Sequence, residues 1–439
     1  MGLGQLEMES TMHNRKSALA LFASTAAMTD AGAGQWESAA RALAEALSPP
    51  KARPGDANTV LADGEMSAQE LLLLLTQLTG VVNRKTCIPV LVNVLIRANA
   101  GRIQLTVTDL DVESTVWGEC PKDWDINTTV SYFDLVNTLK GWPAGVRLVH
   151  ETTLRLTCDD GSRAASLACL PATAFPQMDD ITQADARTVY SGSVDDFVDV
   201  FDSVAKFIST EETRYYLNGV HVEARPAGGG FIPRFVATDG HRLAARSPGE
   251  IIVSVHPDSS SAIIPRKAAL LLTRVRSADH ATLITSQTHF QFSAGNLAVR
   301  GKLIVGTFPA VDRVIPDHDD KLAWVEIPKS AVPALKAVMG RVAKTYQGAA
   351  PAFIEFAPSD PLKLRLTVRD HDQQETVAMI PLNASARRAC EIRLDLRYLI
   401  DALSLAPSAR LQFPADRLDP VRIEYPQLPG LVSVVMPPR

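Results

Sequence analysis

Apolar positions along this chain follow two periods, and the two alternate in a repeating order. Apolar residues recur at helical spacing in three long segments and three shorter ones, predicting helices at 68–82, 194–208 and 329–344, and near 132–142, 266–276 and 397–406. Period-two alternation between these segments predicts strands, for example at 103–107, 147–157 and 364–368. The pattern indicates an α+β fold in which antiparallel sheets carry helices on one face.

The same order of elements occurs three times, which points to tandem domains. Thr238-Asp239 lies 130 residues after Thr108-Asp109, and Arg369-Asp370 follows a further 131 residues on. Phe175-Pro176 recurs as Phe308-Pro309, 133 residues later. A chain of 439 residues is also long enough for about three domains. We therefore predict three similar domains, at 58–185, 186–312 and 313–439, each with a sheet and two helices.

Residues 1–57 precede the repeats and have a different composition. They are rich in Ala, Gly and Ser and end in a Pro-containing stretch, which is typical of a disordered extension and linker. A basic pair followed by a short apolar run at 15–28 weakly resembles a signal peptide, but Ser and Thr interrupt the run. An alanine-rich helix within the extension is the preferred interpretation.

Composition narrows the classes of function. Five cysteines are scattered without a C-x-x-C pair, which argues against a disulfide framework and a zinc site and for a reducing cytoplasm. The longest strongly apolar run, at 71–75, is too short to span a membrane. The net charge of −5 gives no overall attraction to nucleic acid, so DNA contact would need locally basic surface. No nucleotide-binding loop, nucleophile elbow or metal-ligand spacing is present, and no cofactor is predicted.

Two neighbouring stretches in the second repeat carry the most specific signal. Residues 214–219 read Arg-Tyr-Tyr-Leu-Asn-Gly, and residues 235–244 read Phe-Val-Ala-Thr-Asp-Gly-His-Arg-Leu-Ala. Alternating apolar residues, from Leu217 onward, predict a β-meander interrupted by glycines at 228–230. Thr238-Asp239-Gly240 predicts a tight turn, because Asp caps its own backbone and Gly tolerates positive φ.

In this order, the two motifs resemble the central domain of the bacterial β sliding clamp, the processivity ring of the replicative DNA polymerase. Further stretches at 88–96, 105–113, 167–176, 263–267 and 434–439 extend the resemblance over about residues 66–439. It implies a DNA-clamp fold that closes as a homodimeric ring around duplex DNA. The ring would tether polymerase, clamp-loader and repair proteins through short linear peptides, and it would perform no chemistry itself.

The resemblance also implies a peptide-binding pocket between the second and third repeats. The matching positions are Leu217, Thr238, Gly240, His241, Arg242, Leu243, Pro309, Arg313, Val314, Tyr398, Val434, Val435, Met436, Pro437 and Arg439. Leu217, Leu243, Val314 and Met436 would line an adaptable apolar cleft, and Arg242 would hold polar atoms of the peptide. The chain departs from the family at its Met-Pro-Pro-Arg end and at Asp395, where the family has Asn and where we expect a negative charge at the rim. The alternative interpretation is that these residues form an ordinary inter-domain core.

Two further sets of residues are carried over in the same way. The implied DNA contacts are Arg84 or Lys85, Tyr215, Tyr216, Arg266, Lys267 and Lys302. DNA held inside a ring needs only basic groups aimed at phosphates. The candidate dimer-interface residues are Arg163, which lies in a predicted edge strand at 162–167, and the acidic Asp372 and Glu375.

Two other functions stay open at this stage. A divergent clamp-fold scaffold that binds peptides without being loaded on DNA would explain the acidic helix at 194–208 and the altered C-terminus. An enzyme that uses Asp239 and His241 would need these two residues to act as a general base pair.

Overall fold

The computed structural model describes residues 66–142, 145–182, 184–228, 230–256, 261–276, 278–319, 321–342, 351–356, 363–369, 375–385 and 390–438. The expectations for residues 1–57 therefore lie outside the described residues. Contacts divide the chain into two compact units. The first unit comprises residues up to Val198 together with Pro226–Phe231 and Glu250–Leu303. The second comprises Asp199–Arg225, Ile232–Gly249 and Ile304–Arg439.

Both units consist mainly of β-strands. Within each unit, neighbouring strands run antiparallel, as β1 and β2 do in the first unit and β11 and β25 do in the second. In chain order the strands are β1 (Asn93–Asn99), β2 (Arg102–Thr108), β3 (Val112–Glu119), β4 (Ile126–Ser131), β5 (Val146–His150), β6 (Thr153–Cys158), β7 (Ala164–Pro171), β8 (Thr188–Ser193), β9 (Gly219–Ala227), β10 (Gly230–Thr238), β11 (Arg242–Arg246), β12 (Ile252–Val255), β13 (Ala262–Pro265), β14 (His280–Thr285), β15 (His289–Ala294), β16 (Leu297–Lys302), β17 (Trp324–Pro328), β18 (Pro351–Phe356), β19 (Lys363–Arg369), β20 (Glu375–Pro381), β21 (Ala384–Ser385), β22 (Cys390–Asp395), β23 (Ser408–Gln412), β24 (Val421–Glu424) and β25 (Leu431–Val435).

The helices carry apolar faces at the predicted spacing. They are α1 (Ala68–Gln77), α2 (Tyr132–Leu139), α3 (Val194–Ala205), α4 (Arg266–Leu272), α5 (Val332–Val342) and α6 (Leu396–Leu403). In α1 the buried residues Ala68, Leu71 and Leu75 follow a 3–4 spacing, and Ser67 and Glu70 form a reciprocal capping box at its start. Within the described part of the chain, no helix is long and apolar enough to cross a membrane.

The first unit contains one twelve-stranded sheet in the order β12-β8-β14-β15-β16-β3-β2-β1-β4-β7-β6-β5. The second contains the run β9-β10-β11-β25-β24-β23-β17-β21 and a four-stranded sheet in the order β20-β19-β18-β22. Fully buried aromatic residues, such as Phe292 in the first unit and Phe235 in the second, give each unit its own core.

The structure confirms the predicted helices and strands, with two differences in detail. Five of the helices end earlier than predicted; α1, for example, ends at Gln77 rather than near residue 82, and Gly80 in the turns that follow has a φ of +104°. The residues Glu212–Leu217 form a short 3-10 helix, so the prediction that Leu217 begins a β-meander is wrong. Leu217 is buried there at the end of the helix, and Asn218 follows before β9 begins. The strand part of the prediction, β9 to β11, is confirmed.

Two strand pairs join successive repeats through strands that are distant in sequence. At the first strand junction, β3 pairs with β16, and Glu113 lies opposite Arg300. At the second strand junction, β11 pairs with β25, and Leu243 lies opposite Val434. In both cases the strand that follows a Thr-Asp turn pairs with the last strand of the next repeat. The candidate site is built on the second of these junctions.

Candidate functional site

The centre of the second strand junction is apolar. Leu243 and Val434, which face each other across the two strands, pack with Val236, Ala245 and Val311 in one buried cluster. Partly buried side chains of the segment before and after Val311 cover this cluster, namely Phe308 and Ile315. Thus Leu243 and Val434 form the floor under a surface segment rather than an open cleft wall.

The Thr-Asp-Gly turn before β11 forms as predicted. Thr238 Oγ1 donates to the Arg242 carbonyl (2.7 Å) and accepts from Gly240 N–H (3.1 Å), and Asp239 Oδ1 accepts from the backbone N–H groups of His241 and Arg242. Gly240 has a φ of +88°, which a residue with a Cβ rarely adopts. The Asp239 carboxylate therefore caps the turn, and none of these contacts joins it to the His241 ring.

Arg242 lies at the centre of a charged network beside the apolar cluster. Its guanidinium donates to Asp239 Oδ2 (2.9 Å), to Asp401 Oδ2 of α6 (2.5 Å) and to the Lys206 carbonyl (2.8 Å). It also lies over the Tyr398 ring, at 4.6 Å from the centroid. Because these bonds use N–H groups on all three guanidinium nitrogens, Arg242 joins the turn to α6 and keeps two further N–H groups for other acceptors.

The exposed residues of the predicted pocket lie around this network. The His241 ring stacks against Tyr398 at 6.1 Å between centroids, and the His241 carbonyl accepts from Met436 N–H (2.8 Å). Burial raises the pKa of Tyr398, so its hydroxyl stays protonated at neutral pH. These residues offer an aromatic face and a half-buried thioether, which suit an apolar peptide side chain.

The structure places the other residues of the pocket unequally. Pro309, Arg313 and Val314 are exposed on the covering segment, whereas Val435 and Pro437 are buried. Leu217 is buried in its 3-10 helix, where its carbonyl accepts from Ser209 N–H, and no recorded contact joins it to Leu243. Arg439 lies outside the described residues.

Asp395 is not a rim charge, so that expectation is wrong. It is 3% exposed and caps the start of α6 by accepting from Arg397 N–H (2.9 Å). Its second oxygen accepts from the Arg397 guanidinium (2.8 Å), which neutralises the carboxylate locally. A negative side chain at a helix N-terminus is favourable, which explains Asp at this position.

Of the predicted DNA contacts, Lys267 is already bound within the protein. Its ammonium group donates to the Val81 carbonyl (2.7 Å) and forms an ion pair with Asp109. Asp109 is the turn residue of the first repeat and accepts from Val112 N–H (2.8 Å), as Asp239 accepts from Arg242 N–H in the second. Lys267 therefore connects α4 to the first strand junction.

The other basic candidates of the first unit are exposed. Arg84 lies over the Phe133 ring at 4.0 Å, Lys302 pairs with Asp111 (3.1 Å), and Lys85 and Arg266 are open to solvent. A Cβ on Gly80 would lie 2.9 Å from Leu271, so the chain leading to Arg84 and Lys85 runs close to α4.

In the second unit, Tyr215 and Tyr216 stand together in the 3-10 helix. Their rings meet edge to face at 5.9 Å, and Tyr215 is 55% exposed. Exposed aromatic rings of this kind can stack on nucleotides or lie against a backbone.

The dimer candidates lie beside two strands that have an unpaired edge, for β7 only over part of its length, in the described part of the chain. Arg163 is exposed just before β7 and donates to the Gly141 carbonyl (2.7 Å). Glu375 begins β20, and Asp372 lies outside the described residues. Among the described residues, 164–168 of β7 pair with β6 alone, which agrees with an edge strand that starts at Ala164 rather than at residue 162, and β20 ends its sheet.

Sequence reasoning missed several residues that hold the site together. Asp401, Asp312, Arg225 and Arg234 contribute ion pairs across 78 to 159 positions of sequence. No spacing rule identifies such pairs. Asp109 was detectable, because its Thr-Asp turn repeats the Thr238-Asp239 turn.

Comparisons with known proteins agree with this arrangement. Residues 65–179 match the family model described as DNA polymerase III beta subunit, N-terminal domain, and residues 193–310 match that of the central domain. The Beta sliding clamp of Caulobacter vibrioides is 32% identical over 382 residues, covering 84% of this chain and 97% of that protein.

Solved structures give the same result. A Bartonella birtlesii sliding clamp (DNA polymerase III subunit beta) bound to griselimycin has a TM-score of 0.74 and 27% identity, over 85% of this chain and 98% of that one. A C. crescentus β sliding clamp with polyethylene glycol at its putative β-motif tethering region has a TM-score of 0.72 and 28% identity, over 86% and 100%. On the family models, this identity and this coverage, the chain belongs to the bacterial β sliding clamp family, the β subunit of DNA polymerase III.

Proposed function

We propose that this chain is a DNA sliding clamp that closes as a homodimeric ring around duplex DNA in the bacterial cytoplasm. The ring performs no chemistry of its own. It holds polymerase and repair proteins near the primer end, and it receives them, like its clamp loader, through short peptides at the second strand junction. Topological retention raises the effective concentration of a weakly bound partner.

The observation that carries the proposal is that successive repeats are joined by pairing of their edge strands. The strand after each Thr-Asp turn pairs with the last strand of the next repeat at both strand junctions. Two strands lack such a partner in the described residues. One is β20, the strand after the turn in the third repeat, which follows Arg369; the other is β7, the last strand of the first repeat, over residues 164–168. A second copy of the chain supplies the missing strand for each, and two such pairings close a ring of six repeats.

The exposed side chains on these strands support pairing between copies. Val377 and Met379 of β20 are 44% and 50% exposed. An edge strand that presents apolar side chains is a template for pairing with another strand. Arg163 beside one edge and the acidic start of the other would favour one orientation.

The peptide site follows from the apolar second strand junction and the aromatic and thioether groups beside it. Tyr398, His241, Met436 and Val314 present apolar surface near the backbone groups of the turn. Burial of one Leu or Phe anchor contributes about 1.5–3 kcal/mol, so a short peptide would exchange readily.

One observation favours the alternative of a peptide-binding scaffold that is not loaded on DNA. The exposed face of α3 carries Asp195, Asp199 and Asp202 before Lys206, which would repel phosphates if this face met DNA. DNA retention separates the two functions.

The oligomeric state tests ring closure. Light scattering across a dilution series should give about 95 kDa, twice the chain mass of 47.4 kDa. The variant Val377→Lys/Met379→Lys should shift the series towards monomer, because each Lys would lose its hydration in the strand interface. Leu73→Lys, at an exposed apolar position of α1, is the matched control and should remain dimeric. A wild-type monomer at every concentration would rule out self-closure.

A further inference from the structure

The segment that covers the second strand junction is held by a group of four charged side chains, which we name the Asp312 clamp. It comprises Asp312, Arg225, Arg234 and Glu223. Asp312 lies in the short 3-10 helix Val311–Val314, and the other three lie on β9 and β10. The clamp therefore ties the covering segment to the neighbouring sheet.

Both carboxylate oxygens of Asp312 are engaged. Oδ1 accepts from Arg234 Nη1 (2.8 Å), and Oδ2 accepts from Arg225 Nη2. Glu223 holds both arginines in place, since its Oε1 accepts from Arg225 Nε (2.7 Å) and from Arg234 Nη1 (3.3 Å). The Arg234 side chain is only 8% exposed, so its position is fixed by packing as well as by charge. Hydrogen bonds between charged groups are the strong ones, and two on one carboxylate also fix its orientation.

A second contact holds the same segment at its start. The Phe308 ring stacks on the His221 ring at 4.5 Å between centroids, with 5° between the planes. Burial lowers the pKa of His221 to about 4, so the ring is neutral at pH 7 and stacks as an uncharged aromatic group. Segment 308–315 is thus attached by an aromatic stack at one end and by the Asp312 clamp in its middle.

Apart from these contacts and the packing of Val311 and Ile315 on the apolar cluster, the segment has little regular structure to hold its shape. The 3-10 helix Val311–Val314 has only four residues, and no side chain caps its start. Helices of this length are not stable by themselves and depend on tertiary contacts. The residues on either side of the clamp, Pro309 and then Arg313 with Val314, are exposed and belong to the predicted peptide pocket.

We propose that Asp312 is a positioning residue for peptide binding: held by Arg225 and Arg234, it fixes segment 308–315 so that Arg313 and Val314 are already in place when a peptide arrives. The inference rests on the proposed peptide-binding function. It adds an energetic role for residues that do not themselves touch the peptide. A preformed site binds more tightly because the ligand need not order it, and the apparent dissociation constant rises as the competent fraction falls.

The variant Asp312→Asn tests this role, because it removes the negative charge and turns an N–H group, in place of an acceptor oxygen, towards one of the two arginine donors. The probe is griselimycin, which is bound in the Bartonella birtlesii relative. Its Kd is measured by calorimetry at pH 7, together with amide hydrogen exchange over 308–315 and the melting temperature. Asp312 is 56% exposed, so solvent screening limits the effect, and we expect the Kd to rise about threefold to tenfold. Amide exchange in the segment should become faster in the unliganded protein, with the melting temperature nearly unchanged.

Three further variants make the result specific. Asp317→Asn removes one negative charge from an exposed position two residues after segment 308–315. Its Kd and its amide exchange should equal those of wild type. Asp312→Glu keeps the carboxylate but is larger, and it should bind griselimycin with most of the wild-type affinity. If the size of the Asp312 side chain were what mattered, Asp312→Glu would bind worse than Asp312→Asn. Val314→Asp places a charge in the apolar site and should abolish binding if griselimycin occupies it.

The outcomes separate the two proposals. If wild type binds and Val314→Asp does not, but Asp312→Asn matches wild type in Kd and in exchange, the positioning role is wrong and the peptide site stands. If wild type does not bind griselimycin, or Val314→Asp binds it equally well, the peptide site at this junction fails and the positioning role fails with it.

Discussion

The two strand junctions share a backbone plan and differ in the chemistry at their centres. Glu113 and Leu243 occupy the same place, five residues after the Thr that opens each turn, and each faces a residue of the partner strand. In the first junction that pair is Glu113 and Arg300, at 3.3 Å, whereas in the second it is Leu243 and Val434. One repeated architecture therefore carries an ion pair in one copy and an apolar pair in the other.

The segments that follow the recurring Phe-Pro pairs extend this difference. After Phe175-Pro176, Met178 N–H donates to Glu113 Oε2 (3.0 Å), and Asp180 pairs with Arg300 (2.5 Å). After Phe308-Pro309, Val311 and Ile315 pack on the apolar cluster instead. Glu113 is only 2% exposed, and this burial raises the pKa of its carboxylate.

The comparison explains why only one junction is proposed as a peptide site. Charged groups at the first junction already satisfy one another, so an apolar anchor placed there would break ion pairs without replacing them. The second junction offers apolar and aromatic surface, and its charges lie at the edge, on Arg242 and in the Asp312 clamp. The side chains, not the backbone, distinguish the two.

The largest expected effect comes from breaking the ion pair of the first junction. Arg300→Val would leave Glu113, which is 2% exposed, without its cationic partner. An unpaired buried carboxylate is costly, so we expect the free energy of unfolding to fall by about 3–5 kcal/mol. Denaturant unfolding followed by circular dichroism measures the change.

The matched control replaces the ionic pair by the apolar pair of the second junction. Glu113→Leu/Arg300→Val removes both charges, and we expect it to recover to within about 1 kcal/mol of wild type. If the double variant is as unstable as Arg300→Val, the two junctions are not interchangeable in the way that their shared backbone implies.

A smaller effect should distinguish a basic residue that is bound within the first junction from a neighbouring basic residue that is exposed. Lys267 is bound to Asp109 and Val81, while Arg266 beside it is exposed. We expect Arg266→Gln to reduce the slope of log K for DNA against log salt by about one, and Lys267→Gln to change it by less than half as much. Lys267→Gln should instead lower the free energy of unfolding, because it removes the ion pair with Asp109. The loss should be only about 1 kcal/mol, since solvent partly screens that pair. Equal slopes for the two variants would place Lys267 at the DNA.

Much of the fold could be predicted from the sequence, because it follows from short-range patterns. The period of apolar residues located the helices and the strands around Thr108, Thr238 and Arg369, and the recurring Thr-Asp pairs predicted the turn in which Asp239 caps its own backbone. The ends of the helices were harder to predict from the sequence. Gly80, which has a left-handed backbone conformation, ends the turns after α1, and its close approach to Leu271 is visible only in three dimensions.

The candidate site was predicted in its residue types and less well in their roles. Leu243 and Val434 have the composition of a pocket and also of a core, and only burial shows that they lie beneath segment 308–315. Asp395 reads as a surface charge until its position as the cap of α6 is known. The bonds from Arg242 to Asp401 and from Asp312 to Arg225 join residues that are distant in sequence, and no local pattern in a single sequence encodes them.

Retention on DNA of different topology tests the proposed clamp function most directly. The full chain is loaded on nicked circular duplex DNA with the clamp loader of the source organism and ATP, and the protein that stays with the DNA during gel filtration is measured before and after the circle is cut. A closed ring stays on the circle at high salt and is lost from the linear form, because it slides off the ends. Equal loss from circular and linear DNA would contradict a sliding clamp and leave a peptide-binding scaffold of the same fold.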